Sequence, residues 1–574
     1  MINLTIDGIE VEVNKGDYIL DAAKKAHVHI PTLCNVEGLS PTGACRMCVV
    51  ELEDSGRIVT SCSFPAEEGM KVMTNSPKIR RARKTIVELL LANHPDDCLF
   101  CIRNQECELQ DLAKDLGIRE RRYCGERRDC KLDLSSRSIE RDPAKCILCG
   151  RCVRVCEEIQ GVGAIDFTKR GFQAIVTPAF DKGMNTSNCV FCGQCIKVCP
   201  TGALREKSAL KNVWNAINDP ELTVLVQVAP AISTTLGEEF DQPMGTDVSG
   251  KLVTALKRLG FNKVFDTCFS ADLTIMEEGS ELVERVKTGG KLPMITSCSP
   301  GWVKFMEHNF PELIDNVSSC KSPQQMGGAI LKTYYAKKEG LDPAKIYTVS
   351  IMPCVAKKFE AGRPEMNSSG YQDVDAVIST RELARMIKLA NLDFNSLTEK
   401  EYDNPFGEIS GAGKIFGVTG GVMEAALRSA YYLITGRELD NIDVKAVRGL
   451  ESVKEAVIEV GDLKLKVAVI HGLINAKKFF EKMIKEKLEY HFIEVMACPG
   501  GCIGGGGQAK PTSWEIKAKR AAAIYKEDES RELRKSHESP AVAQIYKEFL
   551  EKPNSHKAHH LLHTHYHSKA HLLK

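Results

Sequence analysis

Eight cysteines, written twice in one pattern, constrain this 574-residue chain more than anything else in it. Cys146, Cys149, Cys152 and Cys156 read C-x2-C-x2-C-x3-C. Cys189, Cys192, Cys195 and Cys199 repeat the pattern, and Pro200 follows. In this spacing three close thiolates hold one [4Fe-4S] cube and the fourth reaches across to a second cube. Zinc closes its shell with four ligands and rarely uses such a run. Two cubes in one chain point to electron transfer.

The remaining cysteines set the compartment. Of the 23 in total, 17 lie in the first 199 residues. An odd count, with no apolar leader in MINLTIDGIEVEV, predicts reduced, metal-binding thiols in the cytoplasm. Lys plus Arg (77) balances Asp plus Glu (76), which argues against a nucleic-acid binder with a strong basic field. Apolar runs are too short for a membrane span.

Residues 2–13 predict a hairpin: Ile2, Leu4 and Ile6 alternate, Asp7-Gly8 turns, and Ile9, Val11 and Val13 alternate again. A helix is expected over 18–28. Cys34, Cys45, Cys48 and Cys62 follow as C-x10-C-x2-C-x13-C. This is looser than plant-type spacing but fits a [2Fe-2S] ferredoxin domain of the β-grasp kind; four cysteines alone leave a zinc site open. Residues 80–94 read as a helix ending at His94. Cys98, Cys101 and Cys107 come next, so His94 is the economical fourth ligand of another [4Fe-4S] cube, since carboxylates suit soft iron less well. Cys124 and Cys130 fit no cluster spacing and read as free thiols or a weak redox pair.

From about residue 210 strands and helices alternate. Apolar runs at 224–228, 292–295, 347–351 and 492–495 each end at a proline turn or a cysteine: Ala229-Pro230, Cys298, Cys354 and Cys498. Ligands of open α/β sheets sit at the carboxyl ends of strands, so remote cysteines delivered there can converge. Cys502 lies in the glycine-rich run CPGGCIGGGGQ, which lets backbone pass close to a bulky group. The expected order is a [2Fe-2S] domain (1–78), a one-His/three-Cys domain (79–130), a two-cube ferredoxin-like domain (131–209) and a large two-lobed α/β domain (210–574).

At these residues the chain resembles the iron-only, or FeFe, hydrogenases. ITSCSPGW (295–302), IMPCVAKKFE (351–360) and EVMACPGGC (494–502) are similar to the three signature motifs of that family, and the N-terminal cysteine sets resemble the relay of its large clostridial-type members. The resemblance implies an H-cluster, a [4Fe-4S] cube joined through one cysteine to a di-iron unit carrying CO, cyanide and an azadithiolate. Cys502 matches the bridging ligand, and Cys354 and Cys498 match cube ligands. Lys357 matches a lysine that hydrogen-bonds a cyanide. Met352, Met496, Phe416, Gln324, Ala229 and Pro230 match pocket residues. One [2Fe-2S] cluster and three accessory [4Fe-4S] clusters complete the expected cofactors.

One departure stands out. Many relatives carry two adjacent cysteines where this chain has Cys298-Ser299. By alignment the relay thiol is kept and a cube ligand is serine, a poorer ligand for a soft cluster. The expectation favoured on that ground is that Cys298 holds the cube and Ser299 lies near the amine; Cys320 is a further candidate for either role. The resemblance implies a proton route from this pair through Glu278, Ser318 and Glu281 to Arg285. Glu278 and Glu281, three apart, can share a helix face, and a buried Glu would have a raised pKa. The histidine-rich C-terminus has two readings, a metal-binding tail and, favoured, a last amphipathic helix with a solvated tail that binds metal only adventitiously.

The resemblance implies a reversible hydrogenase fed by ferredoxin or a similar carrier, with its di-iron unit installed by maturation proteins. Rival readings are the catalytic subunit of a flavin- and NAD(P)-linked or electron-bifurcating complex, toward which Ser299 and Cys320 lean, a sensory hydrogenase, and a non-catalytic relay like the iron–sulfur subunit of complex I.

Overall fold

A computed structural model describes residues 1–128, 130–403, 407–461 and 463–570. The chain forms two compact units. One comprises Met1–Ile159, Gly163–Ser187 and Val198–Arg205; the other comprises Gln160–Val162, Asn188–Lys197 and Glu206–Lys574.

In the first unit, β1 (Ile2–Ile6) and β2 (Ile9–Val13) form the predicted hairpin, with Ile6 opposite Ile9. Asp7 and Gly8 both take positive φ there, as a tight two-residue turn requires. The helix expected over 18–28 is shorter, α1 (Ile19–Lys25). β3 (Val49–Leu52), β4 (Ile58–Thr60) and β5 (Lys71–Met73) complete a five-stranded sheet in the order β2-β1-β5-β3-β4. Its inner face buries Leu4, Ile6, Val13, Val50 and Val72 against Ile19, Leu20 and Ala23 of α1. The next helix, α2 (Pro77–Ala92), starts three residues before the predicted point and stops two before it. Ser76 caps it by accepting from Ile79 N–H, and Pro77 occupies its first turn, where a missing N–H costs nothing. His94 therefore lies beyond the helix.

The second unit holds two mixed layers. β6 (Thr223–Val228), β7 (Lys263–Asp266), β9 (Ile346–Met352) and β10 (Ala376–Ser379) form a parallel sheet in the order β7-β6-β9-β10. A second sheet contains β8 (Met294–Ile295), β11 (Val453–Val460), β12 (Leu463–His471) and β13 (Phe492–Met496), ordered β8-β13-β12-β11. Only the β11–β12 hairpin is antiparallel. Strands β6, β9 and β13 are almost wholly buried and mostly apolar because both faces are covered, with Gln227, Ser350 and Glu494 among the buried polar exceptions. The long helix α3 (Cys268–Thr288) carries Glu277, Glu278 and Glu281. No helix among the described residues is long and apolar enough to cross a membrane.

The C-terminal segment corrects one expectation. A short helix, α4 (His556–Leu562), forms as predicted, but the two residues that follow it do not belong to a solvated tail. His563 and Thr564 are buried, and backbone bonds from Lys321 N–H to Leu562 O (2.8 Å) and Thr564 N–H to Ser319 O (2.7 Å) fasten them alongside residues 319–321.

Candidate active site and cluster sites

In the first unit the four thiols Cys34, Cys45, Cys48 and Cys62 act on one another directly, Cys34 on Cys45 and Cys62, and Cys62 on Cys48. Leu33 N–H points at Cys45 Sγ (3.3 Å). One compact set of four thiols suits a soft metal cluster.

His94 is buried. Its Nδ1 lies 3.1 Å from Pro95 O, while Nε2 has no partner among the described residues. A ring held through one nitrogen by a carbonyl leaves the other as a lone pair, the arrangement of a metal-ligating imidazole. Burial lowers its pKa, which keeps it neutral. Asp97 and Lys145 act on both His94 and Cys98, and Cys101 acts on both Cys98 and Cys107.

Cys146, Cys149 and Cys152 share one small cavity with Cys199 from the second copy of the pattern. Leu148 (φ 57°) and Gly150 (φ 71°) turn the first loop, and Phe191 (φ 59°) and Gly193 (φ 75°) turn its repeat at the same positions. Each loop aims one N–H at its first sulfur, Leu148 at Cys146 and Phe191 at Cys189, both 3.4 Å. Cys156 receives Ala164 N–H at 3.3 Å. Cys124 is exposed and Cys130 half-buried, and neither is in a disulfide.

The second unit holds a cavity of ≈ 90 Å³ at the carboxyl ends of its strands. Ala229 and Pro230 follow β6, Cys354 follows β9, and Cys498 follows β13. Cys298, Ser299, Gln324, Met352, Lys357, Phe416, Met496 and Cys502 also line it. Met352, Met496 and Phe416 supply soft or aromatic walls. Two glycines are required for clearance: a Cβ on Gly505 would run into Pro353 O, and Gly501 (φ +91°) would meet Thr419 N at 2.7 Å. Three thiols, Cys354, Cys498 and Cys502, act on one another across this space. Buried thiols facing a common carbon-lined cavity fit an iron–sulfur group and suit no hard cation.

Cys298 and Ser299 both line the cavity but have different partners. The charges acting on the Cys298 thiol are Glu278 first, then Lys357 and Cys502. Ser299 Oγ accepts from Ala497 N–H (3.2 Å), beside Cys498. Cys320 does not line the cavity; its sulfur lies 3.8 Å from Glu281 Oε2 and 3.9 Å from His563 Nδ1.

From Cys298 a polar line leads away from the cavity. Glu278 is buried, and neither of its oxygens has a bonded partner among the described residues. Burial, then the charge of Glu281, pushes its carboxyl up to about 8. The Ser318 hydroxyl donates to Glu281 Oε2 (2.8 Å), and Arg285 donates to Glu281 Oε1 (2.6 Å) at a half-buried position.

Several contributors escape sequence reading. Glu360, at the end of the 351–360 motif, accepts from Lys357 Nζ and from Gln324 Nε2 (3.1 Å). Cys192, assigned only to its own cube, also forms part of the cavity wall. Gln194 and Lys197 both donate to Gly504 O, at 3.0 and 2.9 Å, tying the second cysteine loop to the glycine run.

Comparison with known proteins bears on the same regions. Residues 222–506 match the iron only hydrogenase large subunit, C-terminal domain, and 514–569 match the iron hydrogenase small subunit. Residues 1–77 match a 2Fe-2S iron-sulfur cluster binding domain, 83–122 the NADH-ubiquinone oxidoreductase-G iron-sulfur binding region, and 145–203 a 4Fe-4S dicluster domain. The chain is 49% identical to the NADP-reducing hydrogenase subunit HndD of Solidesulfovibrio fructosivorans, over 99% of both chains. It is 45% identical to iron hydrogenase 1 of Clostridium pasteurianum, over 99% of this chain and all of that one. Among solved structures, the apo [FeFe]-hydrogenase of Chlamydomonas reinhardtii superposes with a TM-score of 0.57 at 42% identity, covering 63% of this chain and 99% of that one.

Proposed function

The chain belongs to the iron-only hydrogenase family, and from that premise we propose that it interconverts H2 with two protons and two electrons, exchanging the electrons with ferredoxin or a similar carrier. One observation carries the reading: Cys298, Cys354, Cys498, Cys502 and Lys357 meet around one cavity, and a buried acid leads away from it.

The donor set suits an H-cluster, with Cys354, Cys498 and Cys502 as its thiolate ligands. When bound, that group supplies the redox chemistry that joins electrons to protons. The chain's own residues place and feed it. Lys357, held by Glu360, offers a fixed cation at the cavity wall. Apolar side chains and close backbone exclude water. Glu278, neutral below about pH 8, holds a proton next to the Cys298 thiol. Ser318 and Glu281 carry replacement protons inward from the Arg285 side.

The different partners favour Cys298 as the relay thiol and Ser299 as the residue facing the cube, the reverse of the ligand role first expected for Cys298. Cys354 and Cys502 both feel Cys498, whereas for the buried Cys298 thiol Glu278 is the largest of the acting charges, ahead of Lys357 and Cys502. Electrons would arrive through the [2Fe-2S] cluster, the one-His/three-Cys cube and the two ferredoxin-like cubes. The loop holding Cys189, Cys192 and Cys195 touches the cavity wall through Cys192 and forms the last step.

A second reading is supported by the full-length similarity to an NADP-reducing hydrogenase subunit: the chain works within a complex with flavin and NAD(P) partner subunits. Infrared spectroscopy in the CO and cyanide region, on protein loaded with the di-iron unit, tests the cofactor. H2 evolution with reduced ferredoxin against NADPH, with and without co-purifying subunits, separates the two donors. Turnover with ferredoxin alone supports the first reading; turnover only in a complex supports the second.

A further inference from the structure

We propose that Glu281, Cys320 and His563 form a binding site for a divalent transition cation of the zinc class, and that filling it withdraws Glu281 from proton delivery. The second half rests on the proton route proposed above.

The donor atoms lie within 4.8 Å of one another. Cys320 Sγ is 3.8 Å from Glu281 Oε2 and 3.9 Å from His563 Nδ1. Tetrahedral zinc with ordinary bond lengths to sulfur, nitrogen and oxygen separates its ligands by about 3.4–3.6 Å. The two separations to sulfur exceed this by a few tenths of an ångström, and the Glu281 and His563 donor atoms lie within 4.8 Å of each other, so the three can close on one cation. Thiolate, imidazole and carboxylate together suit zinc and its transition-metal neighbours; magnesium and calcium take oxygen ligands instead.

Backbone pairing builds the site. Cys320 and His563 face each other as an antiparallel bridge, flanked by the Lys321–Leu562 and Thr564–Ser319 bonds. Two donors 243 residues apart in sequence are thus held in register without any metal.

The imidazole is also oriented from behind. His563 Nε2 lies 3.0 Å from Glu277 Oε2. Glu277 is wholly buried and accepts from Tyr546 hydroxyl (2.5 Å) and Asn554 N–H (2.8 Å), so it is fixed in turn. A proton on Nε2 leaves Nδ1 as a lone pair directed toward Ser319 Oγ (2.8 Å) and Cys320. A carboxylate behind a histidine in this way is the usual outer support of a zinc ligand. Ordinary packing of a buried histidine requires neither the thiol nor a second carboxylate on its other side.

Access comes through Glu281, whose side chain keeps 12% exposure, and past the exposed ring of His559, stacked on His563 at 4.4 Å. Glu281 also accepts from Ser318 and Arg285, so a cation on its carboxylate competes with the bonds that would pass protons.

Zinc K-edge X-ray absorption on the iron-loaded enzyme after dialysis against one equivalent of Zn²⁺ reads the site without interference from iron. Expected are one sulfur at about 2.3 Å with nitrogen and oxygen neighbours, loss of the sulfur in Cys320→Ala, and affinity lower by about 10–100-fold in Glu277→Gln. Unchanged cluster iron in each variant reports intact folding. Zinc held by nitrogen and oxygen alone, or equally by Cys320→Ala, overturns the site and assigns binding to the exposed C-terminal histidines. With the site filled, H2 evolution is expected to fall in the parent and to persist in Cys320→Ala. A sulfur-bound zinc that leaves turnover unchanged keeps the site and overturns Glu281's place in the proton route.

Discussion

Lys357 Nζ donates to both oxygens of Glu360, at 2.9 and 3.1 Å, and to the carbonyl oxygen of Cys298 at 3.1 Å. The pair is nearly buried, with side-chain exposures of 10% and 5%. Removing one partner of such a pair strands the other charge and costs about 3–5 kcal/mol. Glu360→Gln is therefore expected to lower the unfolding temperature and, in loaded protein, to shift the cyanide bands that report the surroundings of Lys357. A variant with parent stability and parent bands would place the ammonium elsewhere.

Glu278→Gln keeps shape and removes the exchangeable acid. H2 evolution should fall by about 10²–10⁴-fold, the usual contribution of a positioned proton donor, with iron content and cluster signals unchanged. The pH profile adds a sign. A buried carboxyl raised to about 8 is neutral at pH 7 and loses its proton as pH rises through 8. Evolution by the parent should decline above that point, and the decline should be absent from the residual activity of the variant. Equal profiles for the two would remove Glu278 from the route.

The cysteine sets were legible because metal chemistry imposes short spacings, and the strand-end cysteines because apolar runs stop visibly before them. Other features depend on contacts that sequence does not carry. His563 is one histidine in a polar run, and only pairing of 562–564 with 319–321 buries it. Glu360 stands three residues after Lys357, yet nothing in an i,i+3 spacing says that the pair is buried. The α2 start lies three residues ahead of the basic run RRARK because the Ser76 cap and Pro77 set it there. Cys298 and Ser299 are neighbours at a turn before a helix, where backbone angles alone decide which partners each side chain meets.

That last pair gives a two-way test. Cys298→Ala should load its cube and di-iron unit, show CO and cyanide bands, and turn over slowly or not at all. Ser299→Cys should keep turnover and move the midpoint potential and spin-resonance signal of the cube, because a thiolate replaces oxygen or water near it. If Cys298 were the ligand, Cys298→Ala would fail to hold the cube, and Ser299→Cys would leave its potential unmoved.

His471 predicts how the second unit responds to acid. The ring is buried at the end of β12, with Nε2 3.0 Å from Leu450 O and Trp514 packed against it. Burial pulls its pKa down from 6.5 to about 4, so the folded chain keeps it neutral where the unfolded chain would protonate it. Between those values the unfolded state binds more protons, and stability rises with pH. The contribution is complete above pH 6.5 and is lost as pH falls toward 4, at most about 3 kcal/mol in all. His471→Gln has no proton to gain. Its stability relative to the parent, from urea unfolding at pH 7.5 and pH 5, should improve on the acid side by about 2 kcal/mol, the part of the shift spanned by those pH values. A constant difference between parent and variant would mean that the buried ring titrates as it does in water.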